Sequence, residues 1–185
     1  MAVPGDASAV RSGSTVHLVH RFFDVLTARG LTASEVGAVE AWLTPELAAL
    51  FFAQPRADQR HGYQAALLVV AAGNSDTDLV VAALTHDVGK RHARLGVFGR
   101  SLASVVIRLG LPNGARVEAY RDHGLIGAHE LAAAGAPSLA VEFAMHHQGG
   151  RPASISQPSW DVLVDADQPP KAWASIRGWI TSQQR

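Results

Sequence analysis

Residues 79–90 read LVVAALTHDVGK. An apolar run carries the chain into Thr85 and then, within five positions, sets a histidine, an aspartate and a lysine: His86, Asp87 and Lys90. The flanks mark the run as helical. Gly73-Asn74-Ser75 breaks what comes before it, and Ser75 is placed to cap the helix with Asp78 three residues on. A helix this apolar is buried. An ionised carboxylate delivered by a buried helix costs several kcal/mol unless a partner meets it. The partner is either a metal ion or a lysine or arginine. Adjacent His and Asp side chains diverge by about 100° on a helix. They converge on one point only where the helix unwinds, and Gly89 is placed to allow that.

The pattern on either side is also helical. Apolar positions recur at three- and four-residue spacing from Ser14 to Gly30. Thr32-Ala33-Ser34-Glu35 reads as a capping box, and Thr44-Pro45-Glu46 as a cap followed by proline at the first helical position. Further helices are expected over 58–72, 101–109, 117–134, from Pro137-Ser138 to His146-His147, 160–167 and 173–182. Loops are expected at 96–100 and 148–158. Strand-like alternation is scarce. The expected fold is all-α, a helical bundle with its polar site between core helices. Residues 1–13 read as a flexible tail and 14–185 as a single domain.

Composition narrows the chemistry. The chain has 185 residues and no cysteine, which removes disulfides, thiolate metal ligands and cysteine nucleophiles. Nine histidines and the carboxylates are then the available ligands for a transition metal. Lysine plus arginine and aspartate plus glutamate both number 16, so nothing points to a nucleic-acid partner. The N-terminal residues lack the apolar core of a signal peptide, and the greasy stretch 65–73 is too short to span a bilayer. A cytoplasmic location is expected, with no membrane partner.

Polar groups recur where apolar helices end or turn inward: His61, His86, Asp87, His123, His146, His147 and Asp167. Of the neighbours His146 and His147 only one need be a ligand, and His146 is slightly favoured. Asp167 is favoured over Asp165. His129 lies off the His123 face, while His17, His20 and His92 read as surface residues. The tryptophans read as packing anchors.

Three segments carry a resemblance. RHGYQAALLV (60–69), AALTHDVGK (82–90) and LVDADQ (163–168) occur in the order of a first histidine, a His-Asp pair and a final aspartate. This resembles the HD-domain metal-dependent phosphohydrolase superfamily over roughly residues 57–170. YRDHGLIGAHEL (120–131) and AMHHQGGRP (144–152) are similar to the additional histidine segments of its multi-histidine subset. Gln148 stands where that subset carries glutamate, and its Gly-Tyr-Pro triplet is absent. The activity tied to that segment, hydrolysis of cyclic-di-GMP, is therefore not expected.

The resemblance implies that His61, His86, Asp87 and Asp167 hold one divalent ion. Asp87 would bridge to a second held by His123 and His146 or His147. The metal could be Mn, Fe, Co, Ni or Zn. Catalytic roles fall to Asp87 and to Lys90, which would contact phosphate. Arg91, Arg94, Arg100 and Arg151 are weaker candidates for the same contact. The expected activity is hydrolysis of a small phosphate ester, a nucleotide or a related molecule, by metal-activated water. Two other readings use the same fold: a nucleotide-binding signalling module without turnover, and a di-iron oxygenase.

Overall fold

A computed structural model describes residues 30–74, 76–112 and 114–168. Every regular element among them is helical. In chain order they are α1 (Ala33–Trp42), α2 (Pro45–Phe52), α3 (Arg56–Ala71), α4 (Thr77–Thr85), a 3-10 turn (Val88–Ala93), α5 (Val97–Arg108), α6 (Ala115–Arg121), α7 (His123–Ala133), α8 (Ser138–His146) and α9 (Gln157–Asp167). The expected N-terminal tail, the helix from Ser14 and the helix over 173–182 lie outside the described residues. None of the described helices is long and apolar enough to cross a membrane.

Local chemistry sets the helix starts. Thr32 and Glu35 form a complete capping box on α1. Thr44 caps α2 with Pro45 in its first turn, and Ser156 caps α9 by accepting from the Ser159 amide. Glu35 also reaches across to α3. Arg60 donates to both of its carboxylate oxygens, at 2.5 and 2.9 Å, and to the Gly30 carbonyl at 2.7 Å. That fork fixes the turn of α3 that carries His61.

Helix α4 is the hub. All of its residues from Leu79 to Thr85 are buried. It packs against α3, α8 and α9, and the 3-10 turn that follows it packs against α6 and α7. The core joins Phe51, Leu47, Val69, Leu84, Leu131, Phe143, Trp160 and Leu163. Phe143 stands T-shaped to Trp160 at 5.6 Å and tilted to His86 at 5.8 Å, so an aromatic shelf underlies the polar residues. Trp160 is the buried packing anchor that the composition led us to expect.

Three boundaries differ from the sequence expectation. The cap of α4 is Asp76, whose carboxylate accepts from the Asp78 amide, whereas Ser75 lies outside the described residues. The stretch expected as a loop at 96–100 already belongs to α5 from Val97 onward, since its glycines weaken a helix without forbidding it. The single helix expected over 117–134 is two helices, α6 and α7, broken at Asp122. There the Tyr120 carbonyl is engaged by the His123 imidazole at 2.6 Å.

Gly89 has a different role from the one its position suggested. Its backbone is not in the left-handed region. What it provides is contact: a Cβ there would lie 2.0 Å from the His123 carbonyl oxygen and 2.7 Å from the Gly127 amide nitrogen. The 3-10 turn and α7 therefore meet backbone to backbone. Gly62, next to His61, performs the same service between α3 and α4, where a Cβ would stand 2.6 Å from the Leu84 carbonyl oxygen.

Gly89→Ala must push α7 away and is expected to destabilise the protein by about 2–3 kcal/mol, read as a lowered urea midpoint. Gly37→Ala serves as the control. Nothing lies within 4 Å of a Cβ there, and the change is expected to stabilise α1 by up to about 1 kcal/mol.

Candidate metal centre

Three elements deliver four polar residues to one place. His61 comes from the second turn of α3, His86 and Asp87 from the turn that ends α4, and Asp167 from the last residue of α9. Asp167 Oδ1 lies 3.0 Å from His61 Nε2 and 3.1 Å from His86 Nε2. Asp87 Oδ2 lies 3.4 Å from His86 Nε2 and 3.8 Å from His61 Nε2. The four candidate ligand atoms all fall within 4.8 Å of one another.

The second oxygen of Asp87 faces another pair. Its Oδ1 is 3.3 Å from His123 Nε2 and 3.5 Å from His147 Nε2, and those two nitrogens are 3.3 Å apart. Asp87, His123 and His147 thus form a second compact group. Asp87 is the member common to both.

Hydrogen bonds on the far side of the rings orient the histidines. Nδ1 of His86 donates to the Ala83 carbonyl at 3.0 Å, Nδ1 of His123 to Tyr120 at 2.6 Å, and Nδ1 of His147 to Ala144 at 2.8 Å. A carbonyl can only accept, so each Nδ1 carries a proton, and it is Nε2 that is left to meet a metal or a second proton. Hydrogen bonds of this kind fix the ring and present its other nitrogen to a metal. In the second group, two such nitrogens and a carboxylate oxygen converge. Asp87 Oδ1 is buried and has no hydrogen-bond partner among the described residues. A carboxylate oxygen and two imidazole nitrogens facing one another call for a proton or a metal cation between them, and an N/O donor set suits a divalent transition metal.

In the absence of a metal, protons supply the positive charge. Burial alone would lower the His86 pKa, but the carboxylates of Asp87 and Asp167 outweigh it and raise it to about 10. Burial opposes ionisation of Asp87 and Asp167 as well. His86 and Lys90 hold Asp87 well below the usual carboxylate range, and His86 and His61 do so for Asp167. Lys90 donates to Asp87 Oδ2 and, despite burial, stays protonated beside that carboxylate. Two carboxylates thus face one imidazolium and one ammonium. Burial lowers the pKa of His123 and keeps it neutral, the form that binds metal.

No family model matches the chain, and no curated protein or solved structure matches it. The site stands on its geometry alone.

That geometry separates the neighbouring candidates. His147, four residues after the buried Phe143, turns inward with its side chain 5 % exposed. His146, favoured from sequence, does not join either group. It follows Glu142 by four residues and lies 3.7 Å from it on the outer face. Asp167 is brought in and Asp165 is left exposed, because Leu163 and not Asp161 faces the core. His129 is exposed, and His92 pairs with Glu130. Arg91 is held by Glu130 and the Val88 carbonyl, and Arg151 by the Ile155 carbonyl, so neither is presented to a ligand.

A pocket of about 420 Å³ opens over the cluster, lined by Lys90, Ser104, Ile107, Tyr120, Arg121, His147, Gln148 and Asp167. Ser104, Ile107, Tyr120 and Arg121 were missed from sequence. The available hint was the position of Tyr120 and Arg121 just before His123. Gln148 places its amide nitrogen 3.3 Å from both ring nitrogens of His123.

Two outcomes check this centre. His147→Ala is expected to reduce the metal bound per chain at saturation, and His146→Ala to leave it unchanged, measured by elemental analysis after dialysis. The second outcome concerns pH. The folded-state pKa of His86, about 10, exceeds its ordinary 6.5. Its contribution to metal-free stability is then full below the lower value and lost as pH rises through the higher. The thermal midpoint of the metal-free protein should fall across that window. Bound metal displaces the proton, so the metal-loaded protein should lack this loss and melt higher at every pH in it.

Proposed function

We propose that the protein is a metal-dependent phosphohydrolase of the HD-domain type, acting on a small phosphate ester. The observation that carries this reading is the junction of two features. Carbonyl-anchored histidines aim lone pairs at Asp87 and Asp167, and a pocket whose floor includes Lys90 opens over them.

His61, His86, Asp87 and Asp167 would hold one ion, and Asp87, His123 and His147 a second. A divalent ion bound there supplies Lewis acidity and lowers the pKa of water toward neutrality. The chain's own groups do the rest. Asp87 turns one oxygen to each group of histidines and so fixes their spacing. Lys90 stays protonated and lines the pocket, where its ammonium can meet a phosphoryl oxygen as a point charge. Its bond to Asp87 holds the ammonium at the pocket floor. Lys90 also favours the phosphate reading, because its ammonium complements the charge of a phosphoryl group.

The protein as purified, or after loading with Mn²⁺, should hydrolyse simple phosphomonoesters. His86→Ala and Asp87→Ala should each reduce turnover at least about a hundredfold while retaining helical circular dichroism. Metal binding without turnover of any phosphate ester would refute the reading, as would full activity in the Asp87→Ala variant.

A further inference from the structure

The pocket has a floor and a rim of different character. The floor is His147 and Lys90, with side chains 5 % and 11 % exposed. The rim carries Arg121, 52 % exposed. Tyr120 and Ile107 stand partly buried between the two levels. Cationic side chains therefore occur at both depths, with Tyr120 and Ile107 among the residues that line the pocket between them.

Arg121 differs from the other arginines near the site. Its Nε and Nη2 donate to Asp122, the next residue, at 2.8 and 3.0 Å. Its Nη1 has no partner among the described residues. An exposed ion pair of this kind contributes little and yields readily to a competing anion. The backbone beneath it is fixed. The Tyr120 carbonyl accepts from His123 Nδ1, which ties the end of α6 to a candidate metal ligand. The break at Asp122 ends α6 at Arg121 and leaves that residue on the pocket wall. The volume of the pocket suits a small molecule.

We infer that the preferred substrate carries two anionic groups: a phosphoryl group bound at the floor and a second anion bound at the rim by Arg121, released from Asp122. The inference rests on the phosphate-ester reading and names the class of substrate within it. Arg121 acts as a specificity residue, remote from the reacting atoms. Asp122 competes with the ligand for it.

The test uses the full chain loaded with Mn²⁺ and non-hydrolysable probes. Linear α,ω-bisphosphonates from propane to hexane are compared with alkyl monophosphonates of equal length by calorimetric titration. At least one bisphosphonate should bind about tenfold more tightly than its monophosphonate, the effect of one exposed charge-assisted contact. Arg121→Gln should abolish that preference, weakening the bisphosphonate by about tenfold more than the monophosphonate. Asp122→Asn should enlarge it. Equal binding of the two series at every length, or a preference that survives Arg121→Gln, would overturn the inference while leaving phosphate binding intact. If neither series binds, the phosphate-ester reading fails, and this inference fails with it.

Discussion

The structure depends on a carboxylate buried where carboxylates are costly. Asp87 is 2 % exposed, and its two oxygens face different groups of histidines. No single neighbour could compensate for its desolvation. The compensation is assembled from four elements: α3, α4 and its following turn, α7 and the end of α8. They place His61, His86, Lys90, His123 and His147 around the same carboxylate. Fold and site are for this reason one problem. The helices that carry most of the core around α4 also bring the groups that meet at Asp87.

Close backbone approach makes that assembly possible. A His-bearing helix can bring a ring nitrogen to Asp87 only if its axis comes nearer to the 3-10 turn than ordinary side chains allow. Gly89 against His123 and Gly127, and Gly62 against Leu84, remove the intervening Cβ atoms. The Arg60–Glu35 fork then locks the outer side of α3. The histidines are further constrained because their Nδ1 atoms bond to carbonyls three residues earlier. Each ring is thus held by its own helix end, and the ligand geometry follows from where the helices stop.

Much of this was legible in the sequence because it is local. The capping box at Thr32 and Glu35, the cap at Thr44, and the apolar run before His86 all act within a few residues, and the helical reading holds. The choice between His146 and His147 was legible in principle. The residue four positions earlier is Glu142 in one case and Phe143 in the other, and the apolar neighbour marks the inward face. Three features were not legible. The break at Asp122 depends on a histidine side chain engaging a carbonyl. The contact role of Gly89 depends on a helix distant in sequence. The pocket wall gathers Ser104, Ile107, Tyr120 and Gln148 from separate segments whose local patterns contain no trace of one another.

The internal counter-charges of the site have a consequence for how the protein matures. With His86 protonated and Lys90 beside Asp87, the two carboxylates are already balanced. Nothing obliges the chain to wait for an ion before it closes, unlike small domains that stay unfolded until their metal arrives. On the proposed metal-dependent reading, synthesis and metallation become separate events. Metal supply would set how many finished molecules are competent without changing how many are folded, and a metal-starved cell would hold a reserve of intact protein ready to be switched on.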